Sequence, residues 1–144
     1  MRLTTHSDYA LRLLMYAALK EGALVQIQEV AEAYGISKNH LMKVAFQLGR
    51  LGFLDTVRGR GGGLRLARAP KDITIGEVVR QAEESFALVE CFEPGSNACV
   101  ITAPCRLRGV LRKALDAYLS VLDEYTLADL IQPRNALSRI LLAN

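Results

Sequence analysis

The chain has 144 residues, 51% of them apolar and 23% charged, which suits one domain with an appendage and excludes intrinsic disorder. No apolar run approaches the roughly 20 residues needed to span a bilayer, and the opening Met1–His6 lacks the shape of a signal peptide, so a cytoplasmic protein with reduced thiols and no membrane partner is expected. The net charge of +3 hides an asymmetry: from Ser37 to Lys71 eight Lys/Arg face the single acid Asp55 (+7), and the remainder holds ten basic and fourteen acidic residues (−4).

In chain order, Ser7-Asp8 is read as the cap of a first helix reaching about Glu21, with Tyr9, Leu13, Met15, Tyr16, Ala17 and Leu19 at helical spacing and Gly22 ending it. A short second helix runs from Gln28 to Tyr34, Gly35 supplies a tight turn, and Ser37 caps a third helix from Lys38 to about Leu51. Leu41, Val44, Ala45 and Leu48 recur there at three- and four-residue steps. Short helix, glycine turn and capped helix together have the shape of a helix-turn-helix. After Gly52 the period changes, and Phe53–Arg58 and Leu64–Arg68 alternate as short strands around Gly59-Arg60-Gly61-Gly62-Gly63. Two strands with a glycine-rich tip form a hairpin, the wing of such a domain. The alternative, a phosphate-cradling loop, lacks the Lys-Ser/Thr and the following helix of a P-loop.

Thr74-Ile75-Gly76-Glu77 matches a capping box and opens a helix to about Glu83. A loop holding the three cysteines follows, and then a helix of about 20 residues from Arg106 to Tyr125, roughly 30 Å long. Its stripe of Leu107, Leu111, Ala114, Tyr118, Val121, Leu122 and Tyr125, widened by Val110, Leu115 and Leu119, is too broad for one winged domain to cover. A second copy of the chain is the economical partner. Thr126 caps a further short helix, Leu127 to Ile131, and Pro133 ends it; the tail from Arg134 is apolar enough to dock. The fold class is therefore mainly α, a winged helix-turn-helix with a two-stranded wing and a long C-terminal dimerisation helix. The expected divisions are 1–83 for DNA binding, 84–105 for a metal-binding loop, 106–131 for dimerisation helices and 132–144 for the tail.

The basic stretch coincides with the helix-turn-helix and wing, and such a concentration is the electrostatic footprint of phosphate binding. Ser37, Lys38, Asn39, His40, Lys43 and Gln47 are expected to face the major groove, Asn and Gln as bidentate partners of base edges and Ser and Lys as phosphate holders. Arg58 and Arg60 suit phosphates or a narrow minor groove, and Gly61 and Gly62 allow close backbone approach. No nucleophile–base constellation is present, which argues against an enzyme.

Cys91, Cys99 and Cys105 are the only cysteines, spaced C-x7-C-x5-C. Three thiols leave one over after any disulfide, whereas clustered thiolates are usual ligands of soft metal centres. Three other readings stay open: buried apolar cysteines, a zinc trio completed by a histidine or aspartate, and redox thiols, against which the acidic neighbours Glu90 and Glu93 count. Fourth donors in reach of the argument are Glu90, Glu93, His6, His40 and Asp8; Arg108, three past Cys105, cannot ligate. Capping of the first helix is the ordinary alternative role for Asp8.

Four motifs in order, Thr4–Arg12, Ile36–Leu41, Val57–Gly63 and the cysteine loop, resemble the iron–sulfur winged-helix transcriptional regulators, the IscR/NsrR family. The resemblance implies a cluster on Cys91, Cys99 and Cys105, a homodimer formed through the long helix, and control of transcription on a palindromic double-stranded operator. One branch of the family uses a histidine shortly after the third cysteine, where this chain has Arg108. The nitric-oxide-sensing branch is more similar. It implies Asp8 from the partner subunit as fourth ligand of a [4Fe-4S] cluster, a cluster-bound repressor, and release of DNA when nitric oxide destroys the cluster. The alternatives kept are a [2Fe-2S] sensor of redox state, iron or cluster supply, and a zinc-bound or cofactor-free regulator.

Overall fold

The computed structural model describes residues 2–93 and 95–143; Met1, Pro94 and Asn144, placed by the sequence reading in the leading arm, the cysteine loop and the tail, lie outside the described residues. Helix α1 (Thr5–Leu19) begins earlier than expected. Thr4 takes the cap: its hydroxyl accepts the Ser7 amide at 3.2 Å, which leaves Ser7 buried in the first turn and Asp8 near the positive end of the helix dipole. Helix α2 (Ile27–Tyr34) is opened by reciprocal bonds between Gln26 and Glu29 and closed by Gly35 in the left-handed region, φ 64°. Helix α3 (Lys38–Arg50) has Ser37 as its cap, as the sequence suggests.

Strands β1 (Leu54–Val57) and β2 (Gly63–Leu66) pair antiparallel from Leu54↔Leu66 to Val57↔Gly63. They are shorter than the alternation predicts. Phe53 falls outside β1; its side chain is wholly buried and its carbonyl still accepts the Ala67 amide at 3.0 Å. Helix α4 (Ile75–Ala82) starts at Thr74, which accepts the Glu77 amide at 3.2 Å. The expected return bond is replaced, since the Glu77 carboxylate pairs with Arg68 at 2.9 Å. Helices α5 (Arg106–Asp123), α6 (Leu127–Leu130) and α7 (Arg134–Leu141) complete the chain. The tail is thus a helix. It docks through Leu141 on the common core, and Arg134 donates to the Leu19 carbonyl at 2.8 Å and pairs with Glu21.

Helix α1 is the centre of the core: Ala10, Leu13 and Leu14 are fully buried and meet Val30, Leu41, Val44, Phe53, Ile73 and Leu127 in one cluster. Each buried Leu or Phe contributes about 1.5–3 kcal/mol, so the winged unit has a real interior. Helix α5 is different. At 18 residues it is about 27 Å long, and its apolar stripe splits into two faces. Leu115 is buried and Leu111, Tyr118, Leu119 and Leu122 are half-buried, on the side that packs against α4; Leu107, Val110, Val121 and Tyr125 stand exposed. The C-terminal end of α5 is tied to the winged unit by main-chain bonds, Ile75 N to Tyr125 O at 2.9 Å and Leu127 N to Ile73 O at 2.8 Å. The other end carries the cysteine loop. No helix among the described residues is long and apolar enough to cross a membrane.

Candidate functional site

Two regions of this framework carry candidate chemistry. At the first, α3 turns Leu41, Val44, Ala45 and Leu48 into the core and leaves Ser37, Lys38, Asn39 and Lys43 exposed. His40 and Gln47 are not with them. The His40 ring lies 4.8 Å from that of Tyr9 and 6.1 Å from that of His6, so it packs on α1. Gln47 donates its side-chain amide to the Gln81 carbonyl at 3.3 Å and serves the α3–α4 contact. The physical reason is angular: at about 100° per residue, positions 40 and 47 fall on the flank of the helix rather than on its outer face. Two residues that the sequence reading passed over, Met42 and Phe46, do lie outward, 53% and 70% exposed. Their signal was available, because apolar side chains stood at positions out of phase with the buried set.

The wing adds Arg58 and Arg60, both exposed and without an ion-pair partner among the described residues. Arg65 and Arg68 of the same basic stretch are engaged by Asp55 and Glu77, so the free positive charge is concentrated on the helix face and the wing tip. Gly61 adopts φ 77°, open to solvent. Gly62 is needed for a different reason. A Cβ there would strike the Val57 carbonyl oxygen, and the Gln26 side chain already donates to the Gly62 carbonyl. Gln26 thereby fastens the wing tip to the start of α2.

The second site surrounds the thiols. Cys91 sits in a 3-10 turn, Glu90–Phe92, Cys105 is the N-terminal cap residue of α5, and Cys99 lies on the loop between them. The loop is held by its own bonds. Asn97 Oδ1 accepts the Cys99 amide at 3.1 Å, and the Thr102 hydroxyl donates to the Cys99 carbonyl at 2.8 Å. The Arg112 guanidinium stacks 4.0 Å over the Phe92 ring. All three cysteines are half-buried and unpaired, and they line one hollow of about 300 Å³. Val89, Ile101, Leu107 and Leu111 supply most of the rest of its wall, with Glu90 and Arg108 at the border and almost no polar surface inside.

The donor set suits a soft, sulfur-rich group in an apolar setting. No trio of His, Cys, Asp or Glu among the described residues converges tightly enough to hold a single metal ion. The other candidate donors separate. Glu93 accepts from the Ser85 hydroxyl and His6 faces His40. Asp8 is paired with Arg12 on the next turn, at 2.8 and 3.0 Å, and does not line the hollow. Arg12 in turn lies about 6 Å from the Tyr9 and Tyr34 ring centres, and burial pushes the Tyr34 hydroxyl up to about 12.

Residues 3–133 match the Rrf2 family, described as iron-dependent transcriptional regulators. The chain belongs to the Rrf2 family. Among its relatives, the HTH-type transcriptional regulator NsrR of Bacillus subtilis is 53% identical over 142 residues, covering 98% of this chain and 97% of that one. NsrR of Geobacillus kaustophilus is 50% identical over the same shares of both chains. Solved Rrf2-like structures agree in fold. T. potens IscR matches with a TM-score of 0.74 at 27% identity, over 93% of this chain and 88% of that one. CymR, the global cysteine regulator of B. subtilis, matches at 0.72 and 28%, over 90% and 95%. The winged helix-turn-helix architecture expected from the sequence is thus the architecture of this Rrf2 protein, and its role is regulatory rather than enzymatic.

Proposed function

We propose that this Rrf2 protein is a homodimeric transcriptional repressor whose grip on a palindromic operator is set by an iron–sulfur cluster, [4Fe-4S] in preference to [2Fe-2S]. Cys91, Cys99 and Cys105 hold the cluster, and Asp8 of the partner subunit is the fourth ligand. The observation that carries the reading is the hollow: the only three thiols of the chain line one apolar space at the head of a helix whose outer face is uncovered. The roughly 50% identity to proteins named NsrR supports the nitric-oxide-responsive branch. When bound, the cluster supplies a centre that reacts with nitric oxide.

The protein's own residues then form the relay. The N-terminal end of α5 supplies Cys105, the loop before it supplies Cys91 and Cys99, and the outer face of α5 joins a second protomer. Asp8 sits at the start of α1, whose side chains back the DNA-reading helix through Tyr9 and His40. Holding Asp8 across the dimer takes it from Arg12; releasing it returns the pair seen within one protomer. The two α3 helices keep their spacing only in the held state. Ser37, Lys38, Asn39, Lys43, Arg58 and Arg60 make the main DNA contacts, with Gly61 and Gly62 admitting the backbone and His40 and Gln47 bracing α3 from its flank. A coupling of about 1–3 kcal/mol changes operator affinity roughly 5- to 150-fold.

Iron and acid-labile sulfide analysis of anaerobic protein, alongside gel shifts on genomic fragments, tests this reading. Wild type should carry both elements and select discrete fragments; Cys99→Ala should carry neither and bind them at least five-fold more weakly. Tight, selective binding by the variant defeats the coupling, and zinc in place of iron and sulfide defeats the cluster.

A further inference from the structure

We infer that Phe46, with Met42 beside it, reads thymine methyl groups in the major groove and so determines which operators this Rrf2 protein selects. The inference rests on α3 being the groove-entering helix and adds to that reading the sequence element recognised. Asn39, Lys43, Phe46 and Arg50 fall within about 60° of arc on α3, and Met42 lies about 40° from Phe46. Phe46 is therefore central to the outer face, opposite the buried Leu41, Val44 and Leu48. It is 70% exposed, and Met42 53%. The Arg50 guanidinium lies 5.9 Å from the ring centroid.

What covers these side chains is indicated by their surroundings. Helix α3 contains no acidic residue. Lys38, Lys43 and Arg50 flank the apolar pair, and Arg58 and Arg60 stand free on the adjacent wing. A cationic frame of that kind selects a polyanion, and for a family of transcriptional regulators that polyanion is DNA. Within the major groove nearly every exposed feature is a hydrogen-bond donor or acceptor; the apolar one is the C5-methyl group of thymine. An aromatic ring and a thioether at the middle of the reading face, unable to satisfy base-edge donors or acceptors, are complementary to that methyl. Asn39, one turn before Lys43, remains free for the hydrogen-bonding edge of a neighbouring adenine.

The test uses the full-length anaerobic protein and two duplexes: an operator selected from genomic fragments, and the same operator with deoxyuridine replacing every thymidine, which removes the methyl groups alone. Wild type should lose about four-fold in affinity per methyl group contacted. Phe46→Ala should bind the thymine duplex more weakly and show a reduced uracil penalty, and Phe46→Leu should keep part of it. Since Phe46 lies outside the core, the variants should keep the wild-type circular dichroism. A wild type indifferent to uracil, or a Phe46→Ala protein with the full wild-type penalty, overturns the inference. Lys43→Ala and Asn39→Ala separate it from the reading beneath it. If both bind the operator like wild type, α3 does not enter the groove and both readings fall. If both weaken while the uracil penalty survives in Phe46→Ala, the methyl contact alone is wrong.

Discussion

Arg60 and Gly62 share the wing tip and serve different ends. Arg60 projects freely, so its proposed contribution is a phosphate contact. Arg60→Ala should weaken binding by a similar factor on every DNA sequence and lower the salt slope by about 1; an unaltered slope removes Arg60 from the phosphate contacts. Gly62 is fixed by the hairpin itself, where any Cβ meets the Val57 carbonyl. Residue type and spacing made the exposure of Arg60 legible, and likewise that of Ser37, Lys38, Asn39 and Lys43 on α3. They did not separate the outer face from its flank. His40 and Gln47 have DNA-contacting chemistry, yet Tyr9 and the Gln81 carbonyl occupy them. Met42 and Phe46 have core chemistry and are exposed. At the start of α1 the sequence pointed to Ser7-Asp8 as the cap, and the Thr4 hydroxyl takes that place instead.

Helix α5 is held differently at its two ends. Its last turn is clamped by Asp123 to Arg80 at 2.5 and 2.7 Å, over Gly76, where a Cβ would strike the Asp123 carboxylate. The hydrogen bond from Arg80 holds the Asp123 carboxyl below its usual range. Its folded pKa is thus lower than its unfolded one, so the stabilisation is present above the ordinary carboxylate pKa of about 3.9 and is lost as pH falls through the folded value. Asp123→Asn should lower the thermal midpoint slightly near neutral pH and leave it unchanged in acid; an equal loss at both pH values assigns the effect to packing instead. The pattern of the helix announced its length within two residues. Its division into a domain-facing side and an open side was not readable, because both sides are apolar and only the position of α4 distinguishes them. The tail was legible as apolar but not as helical: α7 has no side-chain cap bond and is fixed by Leu141 and Arg134 against α1.

Across the whole molecule the proposed switch needs two protomers: the outer face of α5 is open, and Asp8, the proposed fourth ligand, pairs with Arg12 in its own chain and does not line the hollow. The proposed C2 dimer would place two copies of α3 on one side and predicts a palindromic site. Val110→Glu puts a carboxylate in the uncovered stripe without touching the core. Sedimentation should show a shift towards monomer, with operator affinity falling in parallel; a dimer of unchanged stability places the interface elsewhere. Family, fold and the thiol trio were legible because motif order, charge and periodicity agree along nearly the entire chain. The pairing of Asp8 with Arg12 was passed over, although an acid and a base four residues apart on one helix are neighbours. The most direct measurement is an anaerobic titration with nitric oxide that follows visible absorption and operator occupancy in the same sample. Loss of the cluster chromophore in step with release of the operator is the predicted result. Colourless, sulfide-free protein that fully occupies its operator, with or without nitric oxide, would contradict the account.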